Sequence, residues 1–560
     1  MTKSDLDSLL KKQRREAEER DAKRRAESLG LDYINLVSVG TPTEIKALQL
    51  IKRSEAEEGK VVPVQIVGKK MILAVYDPNN PKTKEVISKL EEKYEVTVAV
   101  TSISGLNHAW EHYDYVKQED LKDITGKVSI DPERIKSLEE SIKNLEDFSK
   151  LTDNLKDIGT SEIMEMILAG GMSLGASDIH IEPTKKDTTL RLRVDGLLHT
   201  VTENIPSDLY KSVITRIKLL SRLKLNIKDE PQDGRFTIGV SGKDVEIRTS
   251  IIPSEYGETA VLRILDPKAL SIKLEELGWR EDDLKIVQKE IEKPNGLILN
   301  TGPTGSGKTT TLYAFLKRLT KPEIKVITVE NPIEYHLEGI SQTQVDKSAN
   351  YTFASGLRSI LRQDPDVILV GEIRDEETAG IALNASLTGH MVFSTLHTND
   401  AVGAIPRLFD LGAKENILGP ALTLIIAQRL VRRLCEECKK EKEISEKEKE
   451  SIDQFINSLP ERVNKDEYKD YKIFEATGCK KCNDLGYKGR TSIFEVFQVT
   501  EKIQELIYKN PTEIDLKRAT KEQGMTSMQE DGVLKILKGI TSFEEIERLT
   551  GEIKNPSKDL

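Results

Sequence analysis

The chain has 560 residues, 37% hydrophobic and 32% charged, with 84 Lys+Arg against 94 Asp+Glu for a net charge of −10. At roughly 150 residues per domain that length predicts three to four domains, and the mild acidity argues against a general nucleic-acid coat. No stretch approaches the ~18–20 apolar residues that a membrane-spanning helix needs.

Residues 1–28 interleave acids with bases (KKQRREAEERDAKRRAE), which predicts a solvated, charged helical arm. The arm lacks the apolar run of a signal peptide, so the expectation is a cytoplasmic protein that meets a membrane only through partners. Residues 29–115 carry the β-rich runs VVPVQIV and MILAVYDP and a DPNNP turn, the pattern of a small α/β domain. Residues 116–155 are charged, lack a strong apolar stripe and read as a linker. At 156 the texture changes. SEIMEMILAGGMSLGASDIHIEP reads as helix, turn and strand, and TTLRLRVDGLLHTV alternates like a half-buried strand with a DG turn. DVEIRTSIIPSEYGETAVLRIL adds two strands around a Pro/Gly loop, so 156–268 forms a second α/β domain. Over 269–430, GLILNTG, IKVITVE, DVILVGE and HMVFSTL alternate with helical patterns, as in a parallel sheet flanked by helices. Residues 431–498 hold all four cysteines and a charged insert, and 499–560 read as a helical subdomain.

Gly302, Pro303, Thr304, Gly305, Ser306, Gly307, Lys308 and Thr309 fit GxxxxGK[ST], directly between the strand run GLILN and the helix pattern TTTLYAFLKRL. The glycines let backbone N–H groups turn inward around phosphate oxygens. The helix N-terminus adds its positive dipole end. Lys308 is placed to reach the β- and γ-phosphates, Thr309 to ligate Mg²⁺, and Thr310 extends the nucleotide-binding run, so ATP and Mg²⁺ are the expected ligands. After the apolar run Val367-Ile368-Leu369-Val370 comes Glu372, in place of the usual aspartate, suited to hold Mg²⁺ through water and to orient the attacking water. Glu330 and Glu334 bracket Asn331-Pro332-Ile333 after another strand; either is a candidate general base, and solvated acids at a turn are the alternative. His390 and His397 flank one short strand and are read as γ-phosphate sensors, with packing as the alternative.

Cys435, Cys438, Cys479 and Cys482 form CxxC…CxxC with 40 residues between the pairs. Four thiolates make a closed tetrahedral Zn²⁺ site of structural type. The gap exceeds common zinc-ribbon spacing, which the charged insert accounts for; a redox pair or free thiols are the alternatives.

In this order the motifs resemble those of the secretion ATPase superfamily of type II secretion and type IV pilus assembly: its Walker A (302–309), Asp box (330–334), atypical Walker B (369–375) and His box (388–400). The resemblance extends to ASDIHIEP (176–183), RLRVDG (191–196), EPQDGRF (230–236), GYKGRTSIFEVF (486–497) and GMTSMQEDGVLKILKGITSFEEI (524–546). VVPVQIVGKKMILAVYDP (61–78) resembles the family's N-terminal docking domain. The resemblance implies an α/β fold with a RecA-like P-loop ATPase core, an α/β N-terminal domain, a tetracysteine zinc subdomain and a helical C-terminal end. It implies a homohexamer in which the α/β domain before the core supplies arginines to ATP. Arg248 and Arg263 match those positions, and Arg193 and Arg235 are second-rank candidates. Such an arginine stabilises charge on the γ-phosphoryl group. The implied function is an ATPase motor for pilus assembly, with a type II secretion motor as the alternative, working on an inner-membrane platform protein. The family's retraction ATPases lack a tetracysteine element, which favours extension or secretion. A nucleotide-gated scaffold with little hydrolysis is the competing non-enzyme reading, and acidity and the cysteines disfavour a DNA-translocating relative. Two departures stand out. Asn331 replaces the family's Asp-box aspartate, and 1–115 lacks the repeated glycine/leucine motif for cyclic-di-GMP, so that ligand is not expected.

Overall fold

The computed structural model describes residues 3–37, 43, 45–48, 50–67, 69–111, 113, 127–129, 137–138, 141–152, 159–240, 243–267, 271–346 and 348–553. They divide into two compact units, Met1–Leu265 and Asp266–Leu560.

The first unit opens with the helix Lys3–Leu29. Its later turns bury Ala22 and Ala26 and set the Arg25 guanidinium 4.0 Å above the Tyr76 ring, so this end of the charged arm is docked. A small sheet follows, from β1 (Asp32–Tyr33), β2 (Val61–Val67), β3 (Lys70–Val75) and β4 (Glu95–Val100), in the order β1-β4-β3-β2. The second sheet takes β5 (Lys127–Ser129), β6 (Ala176–Pro183), β7 (Thr188–Val194), β8 (Leu197–Ile205), β9 (Gln232–Val240), β10 (Lys243–Ser254) and β11 (Gly257–Leu265), in the order β5-β9-β10-β11-β6-β7-β8. Strict alternation along β7 puts Leu190, Leu192 and Val194 against the helices Thr160–Ser173 and Ser207–Leu220, leaving the other face polar. Much of 116–155, read as a linker, lies outside the described residues. What is described there is structured: β5 pairs with β9, and the helix Leu145–Thr152 buries Phe148 in the core. Ile142 is buried in the same core, and Leu138, Leu145 and Leu151 pack against it, so an apolar stripe spaced three to four residues apart lies among the charges. A Cβ on Gly170 would lie 2.5 Å from the Phe148 ring.

The second unit is built on β12 (Gly296–Thr301), β13 (Val326–Glu330), β14 (Ser341–Gln344), β15 (Val367–Val370), β16 (Met391–Leu396), β17 (Leu422–Leu434) and β20 (Tyr487–Gln498) in the order β14-β13-β15-β16-β12-β17-β20; the short pair β18 (Lys440–Glu441) and β19 (Phe474–Glu475) stands apart. Every neighbouring pair is parallel except β17 with β20. Both faces of the central strands are covered, which explains their unbroken apolar runs: Leu297 and Leu299 enter one core cluster and Ile298 the other. β17 runs through position 430, so the segments 269–430 and 431–498 share a strand. The charged insert is not all solvated. Its helix Glu446–Ser458 starts from a Ser445/Glu448 capping box and buries Ile452, Phe455 and Ile456.

An ionic network ties the C-terminal helices to this core. Arg280 pairs with Asp283 at 2.6 Å and Asp531 at 3.0 Å, Arg462 with Asp283 at 2.9 Å, and Lys535 with Asp531 at 2.6 Å. Burial pushes the Asp283 carboxyl up to about 6, against the pull of Arg280 and Arg462. Buried charges persist only when partnered in this way. Among the described residues, no helix is long and apolar enough to cross a membrane.

Candidate nucleotide site and cysteine cluster

β12 ends at Thr301, and the chain then turns through Gly302, Gly305 and Gly307 with φ of 146°, 79° and 93° before the helix Lys308–Leu319 begins. Glycine is required twice over. A Cβ at Gly302 would lie 2.6 Å from the Gln428 carbonyl oxygen, and one at Gly307 2.8 Å from Gln428 Nε2. Pro303, Thr304 and Gly305 are exposed, Ser306 is buried, and Thr309 and Thr310 are half-buried in the first helical turn. Lys308 arches over the loop, its Nζ donating to the carbonyls of Gly302 (2.6 Å) and Pro303 (3.0 Å). Burial holds the Lys308 ammonium down to about 8; Arg429 adds to the effect, while Glu372 and Glu334 oppose it. A desolvated cation whose partners are carbonyls gains from an incoming anion.

Because β12, β13, β15 and β16 are parallel, their carboxyl ends share one edge of the sheet, where ligands of such sheets bind. Glu372, two residues past β15, is nearly buried; it pairs with Arg374 at 2.5 Å and lies 3.5 Å from His397 Nε2. The loop carrying His397 is pinned to the P-loop strand, since the Thr398 backbone N–H donates to Thr301 Oγ1 at 2.9 Å. The structure therefore brings Lys308, Glu372, Glu334 and His397 to one edge.

It does not bring His390 there. His390 precedes β16 at the opposite end, where its carbonyl accepts from Gly296 N–H at 3.2 Å and its Nδ1 lies 3.0 Å from the Ala385 carbonyl. Five strand rises, about 17 Å, separate the two ends. Phosphate sensing is thus removed from His390, whose contacts are those of packing. The two Asp-box acids also part company. Glu330 is buried and its carboxylate accepts from Tyr313 (2.5 Å), Thr328 (2.6 Å) and Gln342 (3.1 Å), a strut between strands and helix. Glu334 is half-buried and acts on the Lys308 ammonium. Asn331 between them is exposed.

In the first unit the four arginines fall into a single row. Register sets Arg248 opposite Arg235 on one side and Arg263 on the other, Arg263 opposite Asp178, and Asp178 opposite Arg193. Directly opposed residues share a face, here the polar one, with Ile247 and Leu262 on the core side. Asp178 lies 2.9 Å from Arg263 and 3.6 Å from Arg193; Glu246 lies 3.7 Å from Arg235 and 3.8 Å from Arg248. The row thus sets four arginines beside the carboxylates of Asp178 and Glu246. Like charges set opposite one another cost stability unless an anion offsets them.

The four cysteine sulfurs lie within 4.8 Å of one another, with Cys435–Cys479 at 4.0 Å and both Cys438–Cys482 and Cys479–Cys482 at 3.8 Å. A tetrahedron with Zn–S of about 2.3 Å puts its sulfurs about 3.8 Å apart, so the donor set fits zinc. Backbone N–H groups of Cys479 and Gly486 donate to Cys482 Sγ at 3.2 Å each.

Sequence reasoning missed Gln428 and Arg429. Gln428 sits beneath the P-loop, and Arg429 donates to the carbonyls of Asn399 (2.7 Å) and Gln428 (3.0 Å), bridging the His397 loop to the P-loop floor. The one available signal was a polar pair inside the apolar run LTLIIAQRLV.

Comparison with known proteins agrees with this architecture. Residues 155–548 match the family model described as Type II/IV secretion system protein. The chain is 37% identical over 518 residues to the Type IV pilus assembly ATPase PilB of Myxococcus xanthus, covering 92% of this chain and 88% of that one. It is 41% identical over 448 residues to Type II secretion system protein E of Pseudomonas aeruginosa, covering 80% and 85%. The solved ATPase DotB of Legionella pneumophila shares the fold, with a TM-score of 0.51 at 23% identity over 70% of this chain and 96% of that one. On these matches the chain belongs to the type II/IV secretion system protein family.

Proposed function

We propose that the chain is an ATPase motor that couples hydrolysis of ATP to ADP and phosphate to extension of a type IV pilus. The observation that carries this is the convergence of Glu372 and Glu334 on the P-loop lysine at one sheet edge, with His397 beside Glu372. In this reading the P-loop N–H groups and Lys308 bind the phosphates, and Thr309 holds Mg²⁺, which supplies charge neutralisation at the phosphate oxygens. Glu372 orients the attacking water, with Glu334 as the nearer Asp-box acid, and His397 reports the γ-phosphate. The arginine row serves the nucleotide of a neighbouring subunit in a homohexamer, with Arg248 and Arg263 foremost. The four cysteines hold a structural Zn²⁺. The proposed division of labour is an arm (1–28), a partner-docking domain (29–115), a linker (116–155), an arginine-bearing domain (156–268), the ATPase core (269–430), a zinc subdomain (431–498) and a helical end (499–560). Docking is to an inner-membrane platform protein, which keeps the motor cytoplasmic and peripheral to the membrane.

The relationship to PilB across 92% of the chain supports pilus extension. The 41% identity to Type II secretion system protein E favours a second reading, a motor for pseudopilus assembly. Deleting the gene and scoring surface filaments by electron microscopy alongside exported proteins separates the two. Lost filaments with normal export support pilus extension. Intact filaments with trapped exported proteins support the secretion motor, and no change in either defeats both.

A further inference from the structure

Four buried polar side chains meet under the phosphate loop, and one residue joins them all. Gln428 Oε1 accepts from Asn300 Nδ2 and from Thr311 Oγ1, each at 2.9 Å, while its Nε2 donates to Ser492 Oγ at 3.0 Å. Asn300, Thr311, Gln428 and Ser492 are all at most 2% exposed. Asn300 stands on the strand entering the loop and Thr311 on the first turn of the helix leaving it. A single amide oxygen therefore clips both ends of a loop whose three glycines carry positive φ. The loop also rests on the same residue, as the close approaches of Gly302 to its carbonyl and Gly307 to its Nε2 require.

We propose that Gln428 is a positioning residue for the nucleotide phosphates. It fixes the spacing between the two ends of the P-loop, and with it the direction of the backbone N–H groups that close on the phosphates. The chemistry calls for an amide. Two donors converge on one acceptor while a donor is needed on the other side, and a buried group that loses its partner pays its full desolvation cost. A methionine has similar reach and supplies neither function. The inference rests on the ATPase reading, because it assigns the phosphates to this loop.

The test uses the full chain, with mant-ATP fluorescence for Kd, phosphate release for KM and kcat, and thermal melting as a separate readout. The expected result for Gln428→Met is a Kd at least tenfold higher and a matching rise in KM. Thr311→Val removes one donor at constant shape and is expected to shift Kd the same way, with the double variant no worse than Gln428→Met alone, because both act on one contact. Variants that melt at a lower temperature yet keep the parent Kd and KM would show a merely structural network and overturn the proposal. If Gln428→Met does not fold, Thr311→Val decides alone: an unchanged Kd overturns the proposal. A parent chain that binds mant-ATP while its variants bind equally defeats this inference only; a parent that binds none defeats the ATPase reading beneath it as well.

Discussion

The depressed Lys308 ammonium makes nucleotide affinity depend on pH in a window where an ordinary lysine would not. The nucleotide-free chain loses the Lys308 proton around pH 8, far below the usual 10.5, mainly because burial strips water from the charge. If phosphate binding needs the ammonium, ATP binding takes up a proton above that pH, and Kd scales as one plus ten to the power of pH minus pKa. Between pH 7.5 and 9.5 this weakens binding about 25-fold, whereas an unperturbed lysine would change it by about 10%. The sign is opposite to that of unfolding. Between 8 and 10.5 the folded chain binds fewer protons than the unfolded one, so the lysine's contribution to stability improves as pH rises. Mant-ATP titrations at half-unit pH steps measure the effect. Lys308→Arg is the control, since a guanidinium stays charged throughout and its affinity should be flat with pH. A flat profile for the parent, or the same slope in Lys308→Arg, would refute the argument.

Two further outcomes follow from the geometry. The chain purified without chelator should carry close to one zinc per molecule by metal analysis, and Cys479→Ser should lose the metal and melt at a lower temperature; a zinc-free parent would refute the metal centre. Phosphate release should fall at least about tenfold in His397→Ala, which removes one of the two partners of Glu372, and stay at the parent rate in His390→Ala. Equal loss in both would contradict the placement of the two histidines.

Those histidines show what a sequence can and cannot convey. The P-loop was legible because its strand, glycines, lysine and helix are consecutive, so local chemistry states the whole site. Glu372 was legible for the same reason, as an acid just past a buried strand. His390 and His397 flank the same strand, but a sequence does not say which strand end faces the ligand; parallel pairing with β12 decides it. Glu330 looked like a free acid until folding brought Tyr313 and Gln342 to its oxygens from other elements. Gln428 lies 128 residues from Asn300, and no local pattern announces that contact. The arginines were singled out by resemblance alone. Register turns them into a row, because it fixes which residues of successive strands lie side by side. The linker reading of 116–155 passed over Leu138, Ile142, Leu145, Phe148 and Leu151, a helical stripe masked by the charged residues between its members.

Phosphate release by the purified chain, compared with Glu372→Gln, decides whether this sheet edge hydrolyses ATP. Steady release by the parent is expected. Glu372→Gln is expected to bind mant-ATP as tightly as the parent yet to turn over at least about a hundredfold more slowly, because glutamine keeps the shape and loses the carboxylate that orients water. A parent that binds ATP without releasing phosphate, or a Glu372→Gln chain that releases it at the parent rate, would contradict the assignment of this sheet edge as the site of hydrolysis.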